Sequence, residues 1–315
     1  MAPPALPSYA ELLARRDAPA GTAWGLFGPD DELGTLNLLT PARALAAARL
    51  VERGEVFSLN WAIELPDPHP FRRPPVRHAV GFGVGRDDWL DQFYLQGSSQ
   101  WDGLRHIAHP RHGFYNGVPA AAVDDPASDR LGIQTVARRG IVGRGVLLDV
   151  ARHQARRGRS FAPNERFLID ADLLAAVADA EGVTLETGDI LLVRTGWTGW
   201  YASLSSAERA RLSAADAQAG LAPVEATAGW LWDQHVAAVA ADNMSLEAMP
   251  LSLEEGAFLH FWLLPCLGIP IGELWWLDEL ARACAEDGRY AFQLVSAPLN
   301  VRGGVGSPPN ALAIR

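Results

Sequence analysis

Three short apolar runs, each closed by a charged or polar side chain, constrain the fold of this chain more than any other feature. They are 145–150 (Gly-Val-Leu-Leu-Asp-Val), 189–194 (Asp-Ile-Leu-Leu-Val-Arg) and 236–242 (Val-Ala-Ala-Val-Ala-Ala-Asp). A run of this length without polar alternation fits a strand buried on both faces. Helical patterns separate and follow the runs: 170–180 with Asp170 as N-cap, 205–212, 224–234, 254–264 and 277–286. The stretch 290–299 closes as a strand. Alternation of this kind argues an α/β fold. Upstream, Thr40-Pro41 supplies an N-cap and N1 pair for a helix running to about Glu52, and 56–63 reads as a strand. Prolines at 66, 68, 70, 74 and 75 mark a connection without regular structure. The segment 91–96 reads as a strand that delivers the next feature at its end.

That feature is the segment 96–106, Gln-Gly-Ser-Ser-Gln-Trp-Asp-Gly-Leu-Arg-His. Gln96, Gln100, Asp102 and His106 are spaced i, i+4, i+6, i+10. Small residues between them let the backbone approach a bound ion or substrate. Burying such groups without partners costs roughly 2–7 kcal/mol each. A ligand meets that demand; a turn that satisfies itself through Asp and Ser side chains is the alternative.

Composition narrows the function. Hydrophobic residues make up 49% of 315, enough for a large core. No apolar run approaches the ~18 residues of a membrane helix. The start, Met1-Ala2-Pro3-Pro4-Ala5-Leu6-Pro7, lacks the features of a secretory signal, so a soluble cytoplasmic protein is expected. A net charge of −10 argues against nucleic acid as a partner. The one basic cluster, Arg152 to Arg159, has no interleaved aromatic and reads as a solvated loop rather than a phosphate patch. All 27 basic residues are Arg, which excludes Schiff-base and Walker-type lysine chemistry. Cys266 and Cys284 have no metal-binding spacing and read as buried thiols.

Two further residues stand out. His260 is alone in the apolar stretch 257–262, and Glu273 is alone in 267–276. A carboxylate in an apolar run needs a partner or a cation. A core histidine hydrogen-bonded to a backbone carbonyl is the simpler reading for His260 taken singly.

The segment 96–106 resembles the H-x-G-T-H-x-D-x-x-x-H motif of the cyclase family, which includes bacterial kynurenine formamidases and isatin hydrolases. Asp102 falls on the motif Asp and His106 on its last His. Ser98 and Ser99 stand at Gly-Thr, and Gln96 and Gln100 stand at the two metal-binding histidines. His260-Phe261-Trp262-Leu263-Leu264 matches the family's H-x-x-L-L, with Glu273 following. The stretch from Asp242 through Ser245 to Glu247 resembles its D-x-x-S-x-E, although Ser245 also reads as a helix N-cap. Thr195-Gly196-Trp197 matches its T-G-W, with Trp197 as a pocket wall. The likeness spans about 81–299, and 28–39 resembles the entry segment of longer members.

The resemblance implies a compact mixed sheet with flanking helices, an N-terminal extension or arm (1–80) packed on a catalytic domain (81–315), and a homodimer or homotetramer. It implies a metal held by three His and two carboxylates, with the motif's last His as acid/base. Carried over, Asp102, His260 and Glu273 are the ligands here, with Gln96 and Gln100 as weak ones. Amide oxygen is a poorer zinc donor than imidazole, so Mn, Zn or Mg is expected to bind weakly or not at all. Asp102 and Glu273 join His106 as catalytic candidates. Gln96, Ser98, Ser99, Gln100, Trp101, Trp197, Asp242 and Ser245 are candidates for contacting a small-molecule substrate. Trp200, Trp262, Trp275 and Trp276 add to an expected aromatic pocket for an aromatic or polycyclic compound. His109, His112 and Tyr115 line the entrance or lie on the surface. Three activities remain open: hydrolysis of an amide, imide or lactone; metal-free cyclisation or dehydration of a natural-product intermediate; and binding without catalysis.

Overall fold

The computed structural model describes residues 6–315; the first five, part of the N-terminal stretch read above as no signal, lie outside it. The strands in chain order are β1 (Val56–Ser58), β2 (Arg77–Val80), β3 (Asp88–Asp91), β4 (Gln100–Asp102), β5 (Ile141–Asp149), β6 (Leu168–Ile169) and β7 (Ile190–Arg194). They continue with β8 (Gly220–Leu221), β9 (Ala238–Ala241), β10 (Ile271–Glu273), β11 (Ala291–Ser296), β12 (Gly306–Ser307) and β13 (Ala311–Ile314). Nine of them form one mixed sheet in the order β1-β13-β11-β5-β7-β9-β10-β4-β12. Strands β5, β7, β9 and β10 are mutually parallel, and the outer pairs are antiparallel.

The three apolar runs of the sequence become β5, β7 and β9, and both of their faces are covered. On one face Val146, Leu148, Leu191, Val193 and Val239 pack beneath helices Ala171–Glu181 and Glu225–Asp233. On the other, Leu147, Ile190, Leu192 and Ala240 pack with Leu36, Leu38 and helix Asp278–Asp287. Two-sided burial explains why these strands carry no alternation. Caps fix the helices locally. Asp170 accepts from the Leu173 amide, Thr40 from the Arg43 amide, and Gly182 ends its helix in the left-handed region at φ 66°. Residues before 80 enter the same sheet through β1, and Leu59 joins the core beside Leu36 and Leu38.

The helix from Pro41 stops at Ala48 rather than about Glu52, and that expected over 205–212 stops at Arg209; beyond such shortened ends the structure departs from the sequence expectation in three places. The strand expected over 56–63 stops at Ser58, because the Asn60 side chain bonds both the carbonyl and the amide of Ala311 and ends the pairing with β13. The strand expected over 91–96 is absent. Gln92 takes a φ of 55°, and the chain leaves the β2–β3 hairpin there and loops into β4. The helix expected over 254–264 begins only at Leu259, since Gly256 has a φ of 85° and Phe258 is extended. After Phe261 the chain winds more widely over Trp262–Leu267, with Pro265 inside that turn. Cys266 and Cys284 are buried free thiols. No helix of the described residues is long and apolar enough to cross a membrane.

Candidate active site

Strands β4 and β10 pair antiparallel, with Gln100 opposite Glu273 and Asp102 opposite Ile271. Side chains alternate along a strand, so Gln100, Asp102 and Glu273 share one face, while Trp101 and Gly272 point to the other. Trp101 accordingly belongs to the core, its ring against Trp275 and its indole N–H on the Ser296 hydroxyl. The expected contact of Trp101 with substrate does not arise.

A cavity of about 170 Å³ opens over the polar face. Its wall includes Gln96, Gln100, His106, His260 and Glu273. The Gln100 amide donates to Oε2 of Glu273 at 2.7 Å. Gln96 Nε2 donates to Oδ1 of Asp102 and lies 3.2 Å from Nδ1 of His106. The other ring nitrogen of His106 is 3.9 Å from Oδ2 of Asp102. Asp102 is fully buried. Burial lowers the His106 pKa, although the Asp102 charge opposes it.

His260 is positioned from below. The buried Glu247 carboxylate accepts from the Leu259 amide at 2.8 Å, from the His260 amide at 3.4 Å and from Nδ1–H of His260 at 2.6 Å. One carboxylate thus caps a short helix and fixes a ring. Nε2 of His260 faces Oε1 of Glu273 at 3.3 Å. Burial alone would lower the His260 pKa; hydrogen bonds to Glu247 and Glu273 outweigh it and push it up. Burial, followed by the Asp102 charge, raises that of Glu273.

Several candidates lie elsewhere. The Ser98 hydroxyl donates to the Ala62 carbonyl, and Ser99 bridges the Leu274 carbonyl and the Trp61 amide, so both tie the loop down. Asp242 is fully buried and accepts from the amide and hydroxyl of Thr195 and from the Gly196 amide, each at 2.7 Å. It locks β9 to the end of β7 and has no access to the cavity. Trp197 packs with Trp61 and Tyr201. None of the eleven tryptophans lines this cavity. Ser245 does line it, with its hydroxyl on the Glu247 carbonyl rather than capping a helix. His109 stacks on His112, and Tyr115 is buried with its hydroxyl on Asp31. The remaining wall is His69, Phe71, Arg73, Met244, Leu251 and Leu274. The first three come from the proline-rich connection, where a ring and a cation between prolines were the only signal.

Residues 60–248, more than half of the chain, match the Cyclase sequence family. A solved structure described as a novel cyclase is 36% identical, covers 93% of this chain and 99% of its own, and superposes with a TM-score of 0.82. The chain belongs to the cyclase family. An isatin hydrolase bound to the product analogue thioisatinate is similar in fold, at 17% identity over 87% of this chain and 98% of its own, with a TM-score of 0.56. Isatin hydrolase A from Ralstonia solanacearum is likewise similar, at 18% identity over 88% and 98%, with a TM-score of 0.60. No protein of curated function matches the sequence.

In this cyclase the donor set fits a divalent cation. Asp102, His106 and His260 each bring one ligand-capable atom within 4.8 Å of the others. Oδ2 of Asp102 and Oε1 of Gln100 are buried without a hydrogen-bond partner among the described residues. Each glutamine amide donates to one oxygen of a carboxylate, Oδ1 of Asp102 or Oε2 of Glu273. The second oxygen of Asp102 is left without a partner among the described residues, and that of Glu273 faces His260 Nε2. Glu247 on Nδ1 of His260 is the kind of outer carboxylate that orients a ligating imidazole. An oxygen-rich set with one imidazole suits Mn²⁺ or Mg²⁺ better than Zn²⁺.

Proposed function

We propose that this cyclase hydrolyses an amide, imide or lactone carbonyl in a small aromatic or cyclic substrate. The observation that carries the reading is the convergence of His106 with His260 and Glu273, from a distant part of the chain, on one cavity, with the buried Asp102 close to His106 and His260.

Asp102, the Gln100 amide oxygen and, once binding releases its Nε2 proton, His260 would hold a divalent cation beside Glu273. When bound, the cation supplies Lewis-acid polarisation of the carbonyl. The protein's own groups move the protons. With its pKa lowered by burial, His106 is neutral near pH 7. Its Nδ1 faces the Gln96 amide, so its proton sits on Nε2. That N–H donates a hydrogen bond to the leaving nitrogen or oxygen as the C–N or C–O bond breaks, and the proton that Glu273 takes from the attacking water is passed to that same atom. Glu273, its pKa raised by burial, takes the proton of the attacking water. Phe71, Met244, Leu251 and Leu274 give the substrate body an apolar wall. A cavity near 150 Å³ accepts benzene, so the enclosed part here takes a single ring, and a polycyclic body extends toward the mouth.

A second reading is cyclisation or dehydration without a metal. It is favoured by the two glutamine amides, which already donate to both catalytic carboxylates.

The test is acid release from isatin, phthalimide and dihydrocoumarin with and without added Mn²⁺, comparing the wild type with His106→Ala. Hydrolysis that falls about 10²–10⁴-fold in the variant supports the assignment. Equal rates in the two proteins remove His106 from the mechanism. Turnover of none of the three, with ring closure of a linear precursor instead, selects the second reading.

A further inference from the structure

The cavity has a cationic end that the proposed hydrolysis does not use. Arg73 lines it, and its guanidinium carbon lies 5.8 Å from the centroid of the Phe71 ring, also in the wall. Among the described residues no carboxylate lies within 4.0 Å of the Arg73 guanidinium, and none accepts a hydrogen bond from it. The cavity's other charged groups are acidic or shared between acids: Glu273, with Asp102 and Glu247 behind it and His260 between. A partly buried cation left unpaired in a chain of net charge −10 is placed for an external anion. Its field reaches the reacting groups, since it acts on both His106 and Glu273.

His69, two residues from Phe71, supplies a second and independent sign. It is 7% exposed and lines the same cavity. Its Nδ1 accepts the Phe71 amide at 3.1 Å, so in the neutral ring the proton is on Nε2. That Nε2 is buried with no hydrogen-bond partner among the described residues. A buried donor left unmatched by the protein marks a place where a ligand acceptor is wanted.

We propose that His69, Phe71 and Arg73 form a carboxylate subsite, so that the substrate is a carbonyl compound carrying its own carboxylate on a single ring or short apolar body. This rests on reading the cavity as the carbonyl-processing site. Arg73 takes the carboxylate, the Phe71 ring flanks the apolar body, and the His69 N–H completes the donor set. A phosphate dianion fits less well, because Asp102 and Glu273 repel its second charge across so small a cavity. The enclosed volume keeps carboxylate and reacting carbonyl within one ring of each other.

The experiment is calorimetric titration of benzoate and of benzamide, a neutral molecule of nearly the same shape, into the full-length wild type, Arg73→Gln, Arg73→Lys and His106→Ala. The expected result is a preference for benzoate over benzamide of about tenfold in the wild type. The preference should disappear in Arg73→Gln, return in part in Arg73→Lys and persist in His106→Ala. Inorganic phosphate should not displace benzoate. Equal binding of the two probes, no binding of benzoate, an unchanged preference in Arg73→Gln, or displacement by phosphate each overturns the subsite. Arg73 makes no hydrogen bond to the described protein, so its variants are expected to fold, and an unchanged thermal midpoint verifies this. Activity retained by His106→Ala would sink the hydrolytic reading alone and leave the titrations to judge the anion subsite.

Discussion

The side-chain nitrogen of Gln96 lies 3.2 Å from Nδ1 of His106, and the same nitrogen donates to Oδ1 of Asp102. A carboxylate only accepts, so Asp102 fixes which end of the amide faces inward. That orientation makes Nδ1 of His106 the acceptor and leaves the proton of the neutral ring on Nε2. The glutamine standing at a metal-ligand position therefore has a role of its own: it sets the tautomer of His106.

Gln96→Leu keeps the bulk and removes the amide. Nδ1 of His106 and Oδ1 of Asp102 each lose a donor, and the ring is free to populate both tautomers. Turnover should fall by about 10²-fold, the lower range for loss of a positioned hydrogen-bond donor. Nitrogen NMR of the labelled imidazole should change from one dominant tautomer to a mixture. A variant that retains the wild-type nitrogen spectrum would show that Gln96 does not govern the ring.

Glu247 offers a test of stability rather than chemistry. Its carboxylate accepts from two backbone amides and from His260 Nδ1, all buried. In Glu247→Gln one oxygen becomes an NH₂ that confronts those donors. The urea midpoint should drop by an amount equivalent to about 1–3 kcal/mol, the range for hydrogen bonds to a buried charged group. An unchanged midpoint would mean that the helix start at Leu259 is held by other contacts.

Gly272 holds the site to the core. A Cβ there would stand 2.5 Å from the Ala240 Cβ and 2.7 Å from Nε1 of Trp275, which itself donates to the Gln100 carbonyl. Gly272→Ala must push β9 and β10 apart or move the indole. A loss of about 1–3 kcal/mol is expected in urea unfolding. Activity should fall with it, because β10 carries Glu273 and the indole holds Gln100. Full activity in a destabilised variant would show that the strand face is insulated from the core.

Much of this was legible in sequence, for physical reasons that also mark the limits. Strands β5, β7 and β9 were readable because two-sided burial demands unbroken apolar runs. His260 and Glu273 were readable because an ionisable group inside such a run needs a partner, and here each is the other's partner. Trp101 was misplaced because its neighbours suggested function, whereas strand alternation sends it to the opposite face from Gln100 and Asp102. Asp242 resembled a substrate contact because it follows a buried strand. It is spent instead on the turn at Thr195 and Gly196. The wall formed by His69, Phe71 and Arg73 was not legible, since a proline-rich connection has no periodicity from which to infer direction.

Glu181 gives a pH prediction away from the site. Burial, reinforced by the charge of Asp149, pushes its pKa up to about 8, against hydrogen bonding from the Asp149 amide and the charges of Arg156 and Arg152. In the unfolded chain the same carboxyl titrates near 4.3. Between these values the native state holds a proton that the unfolded state has released, so stability decreases as pH rises through that window. The contribution is complete below the unfolded value and gone above the folded one. Glu181→Gln keeps an oxygen to accept the Asp149 amide and cannot ionise. Thermal midpoints followed from about pH 5 to pH 9 should fall more steeply in the wild type than in the variant, and the variant should be the more stable protein above pH 8. Parallel curves would show that Glu181 stays ionised in the folded protein, with Arg152 and Arg156 outweighing its burial.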